Sequence, residues 1–388
     1  ELAYQQGGSL LKFGGDALLL LFAGYDHASR AASAAVEMRT ALKASAEYKT
    51  SVGRLRLRMS VGIHSGPIHL FRVGESHREL VIAGPGGTTT TVMEKTADPG
   101  EIVVSEGTRI RLPDGAVGKR KGAGWLLTWR KAHCLSPGPV LREARDRTSL
   151  EEWIPRGLRE HLSAGETEPE HRIATVGFVR YCGVDYAMET EGPDRVAGAI
   201  AETMNAIQEA ADAEGVTFLA TDINEDGGKA ILVAGAPVAL DEDESRMLRA
   251  VRRVVDAGTA LDVHVGVHQG HVFTGEVGTQ FRATYTVMGD TVNLSARLMA
   301  AAHAGTIYAT PNVLDQSGTL YSTEALAPLH LKGKEEPVKA YAVGEELGER
   351  SVDDRDDLPF VGRSEDVARL HAHIEAARSG AGSVVTLT

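Results

Sequence analysis

Two stretches of this sequence hold residues whose types and spacing could do phosphoryl chemistry. The first is Leu11-Lys12-Phe13-Gly14-Gly15-Asp16-Ala17-Leu18. Apolar residues on both sides of Gly-Gly-Asp read as two strands joined by a tight turn, and the glycines allow positive φ and the close approach of a phosphate. A carboxylate on such a tip could hold Mg2+ or Mn2+ against a nucleotide. Taken alone, the tripeptide is also what ordinary turns are made of. The second stretch runs Tyr285-Thr286-Val287-Met288-Gly289-Asp290-Thr291-Val292-Asn293-Leu294-Ser295-Ala296-Arg297. Asn293 and Arg297 stand at i and i+4 and share a helix face. An arginine there offers a planar fork to a phosphoryl group as charge develops on it. An asparagine can hold a ribose oxygen. A lone pair of this kind would equally be a solvated Asn beside a surface Arg.

The elements that must position these residues occur twice. Leu55, Leu57, Met59, Val61 and Ile63 alternate with polar residues and run into Gly62-Ile63-His64-Ser65-Gly66. Leu261, Val263, Val265 and Val267 alternate likewise and run into Gly266-Val267-His268-Gln269-Gly270. Period two predicts half-buried strands over 55–63 and 261–268. Gly84 matches Gly289, Asp98–Ser105 matches His303–Thr310, and Lys121-Gly122 matches Lys332-Gly333. The second copy is expected to run strand 173–181, helix 194–214 with Asp194 as its N-cap, hairpin 216–235, helix 243–257, strand 261–268. That is a βαββαβ-like α+β layer. The first copy starts at its hairpin, Leu10–Phe22, followed by a helix over 26–48, with no opening strand and helix before them. His64 and His268, each at a strand end, read as structural rather than as metal ligands. The expected domains are 1–141, a charged Pro/Gly linker over 142–171, a second domain over 172–346, and a further segment over 347–388 that opens on the acidic run Asp353-Asp354-Arg355-Asp356-Asp357.

With these motifs in place, Lys12 to Ala17 looks like the metal-binding hairpin of class III nucleotidyl cyclases, and Thr286 to Arg297 resembles their transition-state helix. The resemblance covers roughly residues 1–345 and is closest to the tandem, soluble adenylyl cyclase type. It implies two ferredoxin-like βαββαβ domains meeting as an intramolecular pseudo-dimer. It implies that Asp16 is one of two metal-binding aspartates, that Asn293 orients the ribose and that Arg297 stabilises the pentavalent phosphorus. Lys332 matches a lysine that contacts the triphosphate. Thr286 falls where the family reads the purine, and threonine there favours ATP. Lys12 matches a hairpin lysine of the soluble type, near its bicarbonate pocket, although Val92 stands where those proteins use an arginine for bicarbonate. The copies are not equivalent: Thr88 and Val92 hold the Asn and Arg positions of the first, and Arg180 holds the first-strand aspartate position of the second. One competent and one degenerate site are expected. The reaction implied is conversion of ATP to 3′,5′-cyclic AMP and pyrophosphate, with two Mg2+ or Mn2+ ions assisting in-line attack of the 3′-hydroxyl on the α-phosphorus. The second metal carboxylate would lie on the missing opening strand, upstream of Glu1, so this chain by itself is expected to hold two ions poorly.

Composition narrows the rest. A net charge of −12 excludes the basic footprint of a nucleic-acid protein and argues against an anionic membrane surface as partner. Two cysteines, Cys134 and Cys182, point to a reduced, cytoplasmic setting, and no run of 18 apolar residues is available to span a bilayer. Both ends read as cut from a longer protein. Leu358-Pro359-Phe360-Val361-Gly362-Arg363-Ser364-Glu365-Asp366 resembles the entry of a P-loop NTPase module, with a strand expected over 380–387, and no Gly-x-x-x-x-Gly-Lys follows. The alternative function is a catalytically degenerate, nucleotide-sensing pair that regulates such a module. A diguanylate cyclase, suggested by Gly-Gly-Asp, would lack the Asn293/Arg297 motif.

Overall fold

Strands alternate with helices in both copies, as seen in a computed structural model that describes all residues except 16, 46, 51–52, 131–149, 166–167, 280–281, 332–333, 335, 351–362 and 387–388. The chain forms two units, Glu1–Leu347 and Gly348–Thr388. The first copy runs α1 (Leu2–Gln5), β1 (Gly8–Gly14), β2 (Ala17–Phe22), α2 (His27–Ser45), β3 (Glu47–Thr50), β4 (Gly53–Arg56), β5 (Val61–Ile63), β6 (His69–Val73), β7 (Glu79–Ala83), α3 (Pro85–Thr96), β8 (Ile102–Val104), α4 (Glu106–Arg109), β9 (Val117–Lys121) and β10 (Gly124–Leu127). A 3-10 turn (Leu150–Trp153) and α5 (Arg156–Ser163) follow. The second copy runs β11 (Glu170–Cys182), α6 (Val184–Thr190), α7 (Pro193–Glu214), β12 (Thr217–Asn224), β13 (Gly227–Ala234), α8 (Asp243–Asp256), β14 (Asp262–Thr279), β15 (Arg282–Met288), α9 (Asp290–Ala301), β16 (Thr306–Ala309), α10 (Pro311–Gln316), β17 (Thr319–Ala325) and β18 (Tyr341–Glu349).

The second copy builds one sheet in the order β12-β13-β11-β14-β16-β18-β17, with β15 pairing β14. Its central strand β11 pairs antiparallel with β13 from Thr175 to Cys182 and with β14 along its whole length. One face packs on α7 and α8 through Val179, Tyr181, Ile200, Met204, Leu232, Met247 and Leu248. The other packs on α5 and α9 through Val176, Phe178, Tyr285, Val287, Met299 and Leu158. Each of these large apolar side chains contributes roughly 1.5–3 kcal/mol by leaving water. The first core also takes in Phe71, Val73, Val81 and Ala83 of β6 and β7, so an arm of the first copy completes the core of the second.

The first copy is an α+β layer of the same kind, but among the described residues nothing corresponds to β11, and the four-residue α1 stands where the second copy has the 22-residue α7. Its strands therefore fall into separate sheets: β1-β2, β3-β4, β6-β7 and β5-β8-β10-β9. The expected strand over 55–63 breaks for this reason. Among the described residues, 53–56 pair only with β3 and 61–63 only with β8, whereas the matching stretch of the second copy, flanked by β11 and β16, extends to Thr279. Burial tells the same story: Ala230, Leu232 and Val233 of β13 are buried, while Leu18 to Leu21 of β2 are half-buried or exposed.

Two further expectations are corrected. The N-cap of α7 is Gly192, at φ 86°, with Pro193 at the first helical position. A glycine reaches that φ without strain and proline suits that first turn, so Asp194 lies inside the helix, where its charge favours the positive end. In the second unit, α11 (Ser364–Arg378) forms, but residues 381–386 are not a strand. No other strand among the described residues of that unit offers them a ladder. The whole stretch 353–362 lies outside the described residues, as does Cys134. No helix among the described residues is long and apolar enough to cross a membrane.

Candidate functional site

The helix α9 is seated by glycines at its cap and beneath it. Gly289 caps it at φ 136°, as Gly84 caps α3 at φ 92°. Gly266 of β14 lies directly beneath, where a Cβ would stand 2.2 Å from the Met299 nitrogen and 2.4 Å from the Ser295 carbonyl oxygen. That closeness lets the buried Ser295 hydroxyl donate to the carbonyls of Val176 and Gly266, at 2.8 Å each. Thr291, Leu294, Ser295, Leu298 and Met299 form the buried face. Asn293 is thereby left exposed and Arg297 half-buried on the opposite flank. Arg297 Nη1 is buried and has no hydrogen-bond partner among the described residues. A guanidinium nitrogen in that condition is a standing donor for an anion.

Thr286 is half-buried on β15, opposite Gly275 in the β14-β15 ladder. Lys332 lies outside the described residues; Lys334 forms an ion pair at 2.5 Å with Asp290, at the start of α9. Lys121, the matching lysine of the first copy, is taken up by Asp98 and Glu101. The positions matching those two acids hold His303 and Thr306, so the second copy offers no such carboxylates.

Asp16 also lies outside the described residues. Its strands β1 and β2 pair as expected, with Gly14 opposite Ala17 and Gly15 at φ 67°. Lys12 is buried, and its ammonium lies 2.5 Å from Glu79 Oε1 and 2.5 Å from the Thr221 hydroxyl. A cavity of about 310 Å³ opens beside it, lined by Lys12, Phe13, Glu79, Trp153, Thr221 and Thr284 among others. Leu11 to Phe13 of β1 and Ala283 and Thr284 of β15 both line this cavity, whereas Thr286, Asn293 and Arg297 are not among its lining residues. Among the described residues no three His, Cys, Asp or Glu side chains gather as a metal site. Asp16 alone is short of the donors that two hard cations require.

The matching positions with the copies exchanged are taken up by internal contacts. Thr88 stands where α9 has Asn293, and its hydroxyl accepts the Asp226 N–H at 2.8 Å. The Asp226 carboxylate turns inward and accepts the N–H groups of Gly183 and Asp185, at 3.0 and 2.9 Å, at the start of α6. Lys95 pairs with Glu225 of the same turn at 2.7 Å. Burial raises the pKa of Asp185, and Arg180 lies beneath with its Nε buried and unpaired among the described residues. Farther out, Gln208 of α7 accepts the N–H groups of Glu75 and Ser76 and donates to the His77 carbonyl, clamping the β6-β7 turn to the second copy.

Sequence reasoning missed Glu79, Gln208 and Lys334. Only Lys334 left a signal, since it follows Lys332-Gly333. The other two act across the copies, and periodicity is blind to such contacts. His64 and His268 do what was expected of them. Their Nδ1 atoms meet the hydroxyls of Ser105 and Thr310, at 2.9 and 2.8 Å, on the next strand's end.

Comparison with known proteins follows the same outline. A model of the adenylate and guanylate cyclase catalytic domain matches residues 2–122 and 214–345. An uncharacterized protein of Mycobacterium tuberculosis strain H37Rv is 32% identical over 127 residues, covering 29% of this chain and 23% of the relative. Another, of strain CDC 1551, is 28% identical over 224 residues, covering 55% of this chain and 56% of its own length. The chain therefore spans well under two thirds of these relatives. Among solved structures, the adenylyl cyclase CyaB from P. aeruginosa superposes with a TM-score of 0.41 at 21% identity, over 50% of this chain and 100% of its own. The guanylate cyclase domain of RhGC from Catenaria anguillulae, in complex with GTP, gives 0.41 at 18% identity, over 47% of this chain and 100% of its own.

Proposed function

Since this chain belongs to the adenylate and guanylate cyclase catalytic-domain family, we propose that it is an adenylyl cyclase, converting ATP to 3′,5′-cyclic AMP and pyrophosphate at one site shared by its two copies. The observation that carries this reading is Arg297: half-buried on a rigidly seated helix, with Nη1 lacking a partner among the described residues and Asn293 one turn before it. A group held this way needs no reorganisation when charge builds on the phosphoryl oxygens, which is where electrostatic catalysis gains most. Asn293 sets the ribose so that its 3′-hydroxyl lines up with the α-phosphorus. Thr286, at the mouth of β15, meets the purine edge, and its hydroxyl can donate to or accept from adenine. Lys332 receives the departing pyrophosphate. Divalent cations, which this family uses, would be held through Asp16. The described residues do not by themselves complete such a site.

The test is production of cyclic AMP from ATP with Mn2+ by the whole protein, with GTP in parallel. Arg297→Ala is expected to lower kcat by about 10²–10³-fold with little change in KM, and Asp16→Ala to abolish turnover. Near-normal turnover in Arg297→Ala would refute the assignment. Cyclic GMP as the main product would refute the role given to Thr286.

A further inference from the structure

Glu79 belongs to no motif, yet its carboxylate is buried where the two copies meet. Glu79 Oε1 accepts both the Lys12 ammonium at 2.5 Å and the Thr221 hydroxyl at 2.7 Å, and Lys12 also reaches Thr221 at 2.5 Å. The side chains of Lys12 and Glu79 are only 9% and 12% exposed, and Thr221 is 1% exposed. Three groups thus close a ring, two from the first copy and one from the second. The charge in the ring is one-sided. Thr284 stands five residues before Gly289 as Glu79 stands five before Gly84, so the second copy supplies no carboxylate there.

The base of the first hairpin is held by the buried Arg30, which donates to the carbonyls of Gln6, Gly7 and Ala23, and the ring holds it farther along, toward the second copy. Among the described residues β1 and β2 pair only with each other, whereas their counterparts β12 and β13 are tied into the large sheet by β11. Toward the second copy, β1 meets β12, where Gly14 presses so closely on Asp222 that a Cβ would stand 2.7 Å from its Oδ2. A buried ammonium that loses its counter-charge cannot stay where it is without a large desolvation cost. Lys12 would then swing to water and draw β1 with it.

We propose that Glu79 is a positioning residue for the reaction. By holding Lys12 against Thr221 it sets the height of the hairpin whose tip, four residues beyond Lys12, is Asp16. It thereby fixes how the cation-binding tip meets a nucleotide gripped by Thr286, Asn293 and Arg297. This rests on the site reading given above. The role of Lys12 follows from it: its charge serves the ring rather than the substrate.

The test compares Glu79→Gln, Lys12→Met and the exchanged pair Lys12→Glu/Glu79→Lys in the whole protein. Amide hydrogen exchange over residues 8–22 reads the hairpin without reference to catalysis. In Glu79→Gln it is expected to quicken about tenfold while exchange over 170–182 stays unchanged. The kcat with Mn2+ is expected to fall about 10–100-fold, as for a misplaced catalytic group. The Mn2+ concentration giving half-maximal rate should rise, and KM for ATP should stay within about threefold. The exchanged pair should recover much of both effects. Three results would overturn the proposal: unchanged exchange over 8–22, quickened exchange with unaltered kcat and Mn2+ dependence, or quickened exchange throughout the second copy with no recovery in the exchanged pair. Failure of the site reading is separate. It shows as absence of cyclic product from the unsubstituted protein, which overturns the catalytic half of the proposal and leaves the exchange arm to decide whether the ring holds the hairpin.

Discussion

Leaving one buried guanidinium nitrogen without an acceptor costs roughly 1–3 kcal/mol, and residues 92 and 297, at matching places in the two copies, differ in carrying that cost. Val92, which takes the matching place on α3, packs against Met93, Ala97 and Val103 and has no polar atom to satisfy. Arg297 keeps an unsatisfied Nη1. The paired histidines show the opposite case, a polar group used for stability alone. Burial pushes His268 down to about 4 from 6.5, with Asp290 opposing and Lys334 adding to the shift. The native state therefore keeps the ring neutral while the unfolded chain takes up a proton below about 6.5. More protons on the unfolded state means that stability is lost as pH falls from 6.5 toward 4 and is fully present above that window. His268→Gln removes this contribution. Its Tm should fall less steeply than that of the unsubstituted protein over the same pH range, and parallel Tm profiles would show that His268 is not responsible.

At the scale of elements, the recurring glycine before each strand-end histidine has a packing cause. A Cβ on Gly62 would stand 2.1 Å from the Glu94 nitrogen of α3, as one on Gly266 would stand 2.2 Å from Met299 of α9. Alanine at either place must push the helix off its strand, an overpacking cost of about 1–3 kcal/mol. The two substitutions should lower Tm by similar amounts. Gly266→Ala displaces the helix of Asn293 and Arg297, however, so it should lower kcat at least tenfold more than Gly62→Ala, by the sensitivity of catalysis to small misplacements. Equal kcat in the two variants would show that the seating of α9 does not matter to the site. The repeat of these glycines was legible in the sequence, and so were the hairpins and most helices. What was not legible is whether a strand finds a neighbour. The alternation over 55–63 is as regular as that over 261–268, because alternation reports only which side chains face the core. A ladder needs a second strand, and β11 supplies one to β14 while nothing described supplies one to the 57–60 stretch. The cap of α7 failed for a smaller reason: aspartate is a good cap, but Gly192-Pro193 begins the helix before Asp194 is reached.

At the scale of the whole molecule, two copies of one fold meet, and the proposed function uses only one of the two possible sites. The substitutions Arg180, Thr88 and Val92 already made the copies inequivalent in the sequence. The sequence did not reveal how thoroughly the second site is filled, because that depends on the direction of one turn. Asp226 sits at φ 59° and turns its carboxylate into the N–H groups of Gly183 and Asp185, while Lys95 and Glu225 close over the outside. Arg180 already places a positive charge beneath that turn, so a divalent cation there would meet repulsion as well as an occupied carboxylate. Opening the site to a triphosphate would mean breaking the Asp226 contacts, each worth about 1.5–3 kcal/mol because the acceptor is charged. The chain should therefore bind one nucleotide. Titration calorimetry with a non-cyclisable ATP analogue and Mn2+ is expected to give one site per chain, and to give one still in Thr88→Asn/Val92→Arg, because restoring those two side chains leaves Asp226 and Arg180 where they are. Two sites in the unsubstituted protein would mean that the Asp226 turn opens more easily than its hydrogen bonds imply, and the two copies would then act as a symmetric pair.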